Sequence, residues 1–239
     1  MQKVTGSADQ YAYDLNGNQT LDEVNKNKNM KYANRNLLTD FRGIRLEDGL
    51  FGPEEKTYLT LYKYDEAGNR TRKVTYKYTG TDPEPTFDLT GDAPPWQQVL
   101  DEFYVRDISG KEVAIYSSSS LTQWNIWGLD NVGKINADTT KYYYLKDHLG
   151  TIRVVLNSTN QVVSANDYDC WGFAMQNRSY QSGNTIYKFT GKERDNESSY
   201  DYFGARYYDS RIGRWGQVEP LLEKYIDFWK LLPNYYQSL

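Results

Sequence analysis

Three observations predict an all-β fold of antiparallel hairpins for this chain. An Asp-x-x-Gly turn recurs along it, residues alternate with period two around those turns, and Tyr far outnumbers Phe, 23 to 8. Tyr suits a half-wet sheet, because its ring packs while its hydroxyl stays solvated. A hydrophobic content of 38% and a mean hydropathy of −0.82 would fit a disordered chain, but an aromatic content of 15% opposes that reading. The expected product is a curved, thin-walled sheet without a deep core.

The elements follow in order. Tyr13-Asp14-Leu15-Asn16-Gly17-Asn18 resembles Tyr64-Asp65-Glu66-Ala67-Gly68-Asn69-Arg70, and looser copies occur at Asp107–Gly110 and Asp147–Gly150. In each, Asp at the first position can accept from a backbone N–H two residues on, and Gly supplies the positive φ of a tight reversal. Asp65, Gly68, Asp147 and Gly150 are therefore assigned structural turn roles, in hairpins of the type I turn plus bulge kind. Tyr58, Thr60, Tyr62 and Tyr64 share one strand face; Arg72, Val74, Tyr76 and Tyr78 share one on the return strand. Residues 1–78 thus read as degenerate hairpin repeats.

Residues 79–98 hold Pro83, Pro85, Pro94 and Pro95 and read as an irregular insertion or linker. Residues 99–140 read as a further hairpin segment, with a short loop at Ser117–Ser120. From 141 the strand signal strengthens, at Lys141–Asp147, Thr151–Leu156, Gln161–Trp171, Thr185–Thr190 and Tyr200–Asp209. Residues 221–239 form a divergent tail. Glu219-Pro220 fits a helix start, and Leu221, Tyr225, Phe228, Trp229 and Leu232 follow at helical spacing, predicting a short helix over 220–232.

Composition excludes several function classes. A net charge of −4 and a pI near 5.2 leave no electrostatic footprint for nucleic acid. A single Cys, Cys170, excludes an intrachain disulfide, and a single His, His148, leaves little for a metal site or a Cys-His pair. Asp14-Leu-Asn16-Gly-Asn18 fails as a calcium loop, since its sixth position is Gln19 and its twelfth Asn25. No phosphate or dinucleotide motif is present, so no cofactor and no metal are expected. The N-terminus lacks a signal-peptide apolar stretch, and no apolar run is long enough to span a membrane.

The chain resembles the Rhs (rearrangement hotspot) or YD-repeat family. Residues 141–220 resemble its core-associated domain, through Tyr144-Leu-Lys-Asp-His-Leu-Gly-Thr-Ile-Arg153, Tyr168-Asp169-Cys-Trp-Gly172, Phe189-Thr-Gly-Lys-Glu-Arg-Asp195, Tyr200-Asp-Tyr-Phe-Gly-Ala-Arg-Tyr-Tyr-Asp209 and Gly213-Arg214-Trp215. The resemblance implies a β-ribbon spiralling into a hollow shell that, in full-length relatives, encloses a C-terminal toxin. It implies a secreted or cell-surface parent. It also implies, in many members, release of the toxin by an aspartic-protease-like cleavage.

The catalytic candidates implied by that motif are Asp209 and Glu219, with Arg206 tuning charge. An aspartic dyad needs two carboxyls sharing one proton. Glu219 stands where the family has Asp, and the chain leaves the family pattern after Tyr225. The competing reading makes Asp209 a turn residue and Glu219 a helix cap. Three functions are weighed. The leading one is an encapsulating structural fragment, whose partners are the remainder of a larger shell or its toxin cargo. The second is a carbohydrate- or cell-surface-protein-binding module using Tyr142, Tyr143, Tyr144, Trp124 and Trp127. The third is a single-turnover self-cleaving protease.

Overall fold

Four Asp-x-x-Gly segments reverse the chain by one mechanism. At Asp14–Gly17, Asp65–Gly68, Asp107–Gly110 and Asp147–Gly150, the Gly N–H donates to the Asp carbonyl at 3.0 Å. The Gly φ values are 87°, 90°, 81° and 81°. In each turn the Asp Oδ1 accepts one or two backbone N–H groups, from Asn18, Asn69, Ser109 with Lys111, and Leu149 with Thr151. The strand register slips beside each turn, as expected of a bulge.

The computed structural model describes residues 10–49, 52–82, 95–180 and 185–222. Thirteen strands form one sheet in which spatial order equals sequence order. They are β1 (Tyr11–Tyr13), β2 (Gln19–Asp22), β3 (Asn27–Tyr32), β4 (Leu38–Gly49), β5 (Gly52–Tyr64), β6 (Arg70–Tyr78), β7 (Trp96–Arg106), β8 (Glu112–Ser117), β9 (Ser120–Trp127), β10 (Asn131–Asn136), β11 (Lys141–Lys146), β12 (Ile152–Asn157) and β13 (Val162–Ala165). All neighbours are antiparallel, so the fold is all-β. Residues 83–94, which carry most of the expected linker, lie outside the described residues. Their flanks are adjacent strands: β6 pairs with β7, and Thr79 N–H donates to the Pro95 carbonyl at 2.7 Å. Strand structure resumes at Trp96, inside the segment expected to be irregular. Ser117–Ser120 is a tight turn joining β8 to β9, with Ser118 at φ 53°.

After β13 the chain departs from the expected strands. Gln161–Trp171 is strand only to Ala165. Thr185–Thr190 holds a single bridge, Tyr187 to Glu193, and runs into a 3-10 turn at Phe189–Gly191. Tyr200–Asp209 breaks around Gly204, whose φ is 88°. The result is a four-stranded sheet of β14 (Glu193–Arg194), β15 (Asp201–Tyr202), β16 (Tyr207–Asp209) and β17 (Arg214–Trp215). Period two overestimates these strands because β15 and β16 are buried at every position, without alternation, and the chain reverses at Gly204 between them. The helix expected over 220–232 lies outside the described residues from 223 onward.

This plug fills the inner face of the large sheet, where composition predicted no deep core. Tyr200, Tyr202 and Tyr207 pack with Met30, Leu38, Phe41 and Tyr62, while Tyr187 packs with Tyr144, Ile152 and Val155. The sheet thus reaches around the plug from β3 to β12. Alternation places Tyr58, Thr60, Tyr62 and Tyr64 inward, and Thr60 and Thr75 hydroxyls hydrogen-bond across the ladder at 3.1 Å.

Candidate functional site

The densest chemistry lies where the plug meets β6 and β7. Arg70 opens β6 straight after the Asp65–Gly68 turn. The bulge between Tyr64 and Lys63 adds one residue, so Arg70 and Lys73, three apart, both face inward, opposite Tyr64 and Tyr62. Arg70 is fully buried. Its guanidinium donates to Asp195 Oδ2 at 2.7 Å, meets Glu193 Oε2 at 2.6 Å and donates to the Tyr104 hydroxyl at 3.0 Å. It also lies over the rings of Tyr202, Tyr104 and Tyr62, at 4.4, 4.6 and 5.3 Å. Lys73 Nζ sits 3.0 Å from Glu102, 3.2 Å from Glu197, 3.3 Å from Asp195 and 3.6 Å from Glu193.

Two cations thus face four carboxylates in a nearly dry seam. Burial alone would strip the proton from Lys73, but Asp195, Glu193, Glu197 and Glu102 reverse this and hold its pKa well above the ordinary value. Burial likewise opposes charge on Asp195, yet Arg70 and Lys73 win and hold it low. At Glu193 burial prevails over the same two cations, and its carboxyl is pushed up to about 8.

A second cluster continues the seam. The Tyr187 hydroxyl donates to Glu112 Oε1, Asn125 Nδ2 donates to Tyr187 at 2.6 Å, and Arg106 pairs with Glu112 at 3.1 Å. A cavity of about 350 Å³ opens beside it, walled by Arg106, Lys111, Glu112, Trp127, Glu193 and Phe203. A third cluster ties the β2–β3 turn to β16. Arg211 lies 3.0 Å from Asp209 and 3.4 Å from Asp22, Asn25 Nδ2 donates to both carboxylates, and the Tyr200 hydroxyl donates to Asp22 at 2.6 Å.

The candidates singled out by sequence fall as follows. Asp209 belongs to that third cluster, and its Oδ1 also accepts the Arg211 backbone N–H at 2.9 Å. Arg206 pairs with Glu219 at 2.8 Å and stacks on Trp215 at 4.2 Å. Glu219 also accepts the Leu221 N–H at 3.4 Å. Among the described residues no hydrogen bond joins Asp209 to Glu219. The five aromatics proposed as one patch divide between faces. Tyr144 is buried inward with Tyr142 half-buried against the same cluster, Trp127 donates its indole N–H to the Glu112 carbonyl, and Trp124 and Tyr143 are exposed outward. Sequence reasoning missed Arg70, Lys73, Glu193 and Asp195. The available signal was the i, i+2 pair of acids Glu193 and Asp195 within the family-like segment Phe189–Asp195.

A sequential antiparallel sheet wrapped on an internal plug defines the class: a YD-type shell wall. The Teneurin YD-shell family profile matches residues 108–234, more than half the chain, and the chain belongs to that family. Its Rhs/YD-repeat character is thereby shown. Among curated relatives, tRNA nuclease WapA of Bacillus subtilis (strain 168) is 27% identical over 246 residues, covering 90% of this chain and 10% of that protein. Salivary gland surface protein 1 of Aedes aegypti is 37% identical over 98 residues, covering 39% of this chain and 3% of that protein. The crystal structure of TcdB2-TccC3-Cdc42 aligns over 87% of this chain and 10% of that chain, with TM-score 0.52 and 21% identity, a likeness of fold. The chain spans about a tenth of the length of the WapA relative.

Proposed function

We propose that the chain is a structural wall-and-plug segment of a larger, secreted toxin-type shell protein, and that it carries no catalytic toxin activity itself. The observation behind this reading is the seam. The inner face of the wall is sealed by the chain's own plug through buried ion pairs, an arrangement that spends its charged groups on closure. Its partners would be the neighbouring shell strands and the cargo that such a shell encloses. Among the described residues no helix is long and apolar enough to cross a membrane.

The self-cleavage alternative draws on Asp209, Glu219 and Arg206. A dyad needs like charges close enough to share a proton. Here each carboxylate rests on its own arginine, Asp209 on Arg211 and Glu219 on Arg206, which supports an inert pair. Two measurements test the proposal together. Mass spectrometry of fresh and aged protein is expected to show the intact chain, and purified tRNA incubated with it is expected to stay whole. Cleavage after residue 219 that Asp209→Asn abolishes would establish the protease reading. Degradation of tRNA that follows the protein through purification would establish a nuclease.

A further inference from the structure

The seam between plug and wall holds more acid than base. Arg70 and Lys73 from β6 face Glu102 from β7 and Glu193, Asp195 and Glu197 from the plug. Glu112 from β8 stands behind Glu193 and is already committed to Arg106. Glu102 and Glu197 reach solvent at the rim, but Glu193 and Asp195 are buried, and keeping that buried pair ionised side by side is costly.

Hydrogen-bond counting reaches the same point without reference to charge. The Tyr104 oxygen lies 3.0 Å from Glu102 Oε2 and 3.0 Å from Glu193 Oε1, while it accepts from Arg70. A phenol has one hydrogen to give. One of those two contacts therefore needs a proton brought by a carboxyl. Both carboxyls have a cation, Glu102 on Lys73 at 3.0 Å and Glu193 Oε2 on Arg70 at 2.6 Å, but Glu102 is 20% exposed and Glu193 only 4%. With Oε2 held by Arg70, Glu193 Oε1 faces Tyr104 from the drier side, so it is the better placed to carry the proton and donate it to Tyr104.

We infer that seating the plug takes up one proton, held by Glu193, so that the seam is a proton-coupled latch, tightest in mild acid and loosening as pH rises through neutrality. Glu193 titrates near 8 in the seated state against an ordinary 4.5. Between these values the folded chain binds a proton that the unfolded chain lacks, so stability falls with rising pH and levels off above 8. The window from pH 6 to 8 belongs to Glu193. Asp201, pushed up to about 6 by burial, acts below it. Lys188, lowered to about 8 by burial, acts above it.

Urea titrations of the full chain at pH 6, 7 and 8 test the latch. The unfolding constant is expected to rise roughly 50-fold across that interval. Glu193→Gln, which fixes the neutral form, is expected to flatten the rise, while Asp201→Asn keeps it. A wild-type constant independent of pH over 6–8, or an unchanged slope in Glu193→Gln, would overturn the inference. Difference infrared spectroscopy on wild-type protein serves even if the variant fails to fold. A protonated-carboxyl carbonyl band still present at pH 7, in Asp201→Asn as in wild type, and bleached by pH 9 with the protein still folded, is expected. Its absence at pH 7 would refute the latch.

Discussion

Arg70 is where the fold concentrates its electrostatic risk. A guanidinium with no exposed surface is tolerable only because Asp195, Glu193 and the rings of Tyr62, Tyr104 and Tyr202 surround it. Replacing a buried ion pair by apolar groups can be neutral, but removing one partner strands the other. Arg70→Met keeps the bulk and leaves Asp195 uncompensated beside Lys73 alone. It is expected to destabilise the chain by about 3–5 kcal/mol, read as a lower urea midpoint at unchanged slope. A loss below roughly 1 kcal/mol would mean that the seam is wetter than its geometry states. The sequence did not mark this residue. Period two assigns Arg70 a face but not what covers that face, and a polar residue after a turn reads as solvated. Only the plug, more than 120 residues away, makes it interior.

At the scale of elements, the turns were legible and the plug strands were not. An Asp-x-x-Gly turn is written in the residues that make it: Asp65 supplies acceptors to Asn69 at 2.8 and 3.0 Å, and Gly68 supplies φ 90°. Nothing distant is needed, so sequence suffices. The stretches 185–190 and 200–209 read as strands, yet their residues answer to the wall around them, and the wall is non-local: the first holds one bridge, and the second only β15 and β16. Two glycines separate local from non-local constraint. Gly68→Ala meets only the Arg35 side chain, at 3.5 Å, so its penalty is the left-handed backbone, about 1–2 kcal/mol. Gly133 in β10 has an ordinary φ, but an added Cβ would lie 2.2 Å from the Tyr142 carbonyl oxygen on β11. Gly133→Ala must therefore displace one strand from the other. It is expected to cost more than Gly68→Ala and to raise amide exchange in β10 and β11, an effect that Gly68→Ala lacks. Equal midpoints for the two variants would contradict the close approach.

Over the whole molecule, the wall is local and its closure is not. Each strand pairs with its sequence neighbour, so the sheet needs only local connections to form, the longest running from Tyr78 to Trp96, whereas Tyr200 must reach Asp22 across 178 residues and Ser198 must reach Asn27 across 171. Closing such long loops is unfavourable entropically, but the penalty grows slowly with length, and one plug closes them all together. The consequence is a division of labour: hairpins set the shape, and the plug makes it cooperative. A chain ended at Tyr180 keeps all thirteen strands of the wall. It also exposes Met30, Leu38, Phe41 and Tyr62 and leaves Arg70 and Lys73 without Glu193, Asp195 and Glu197. That fragment is expected to retain β-type far-ultraviolet circular dichroism, to bind a hydrophobic dye and to unfold over a broad urea range in place of a single sharp transition. Its open face would also favour association, detectable as concentration-dependent sedimentation. A truncated chain that stayed monomeric and unfolded as sharply as the full one would show that the wall carries its own core. The plug would then be a passenger on it, and the seam's buried charges would have to be explained by something other than closure.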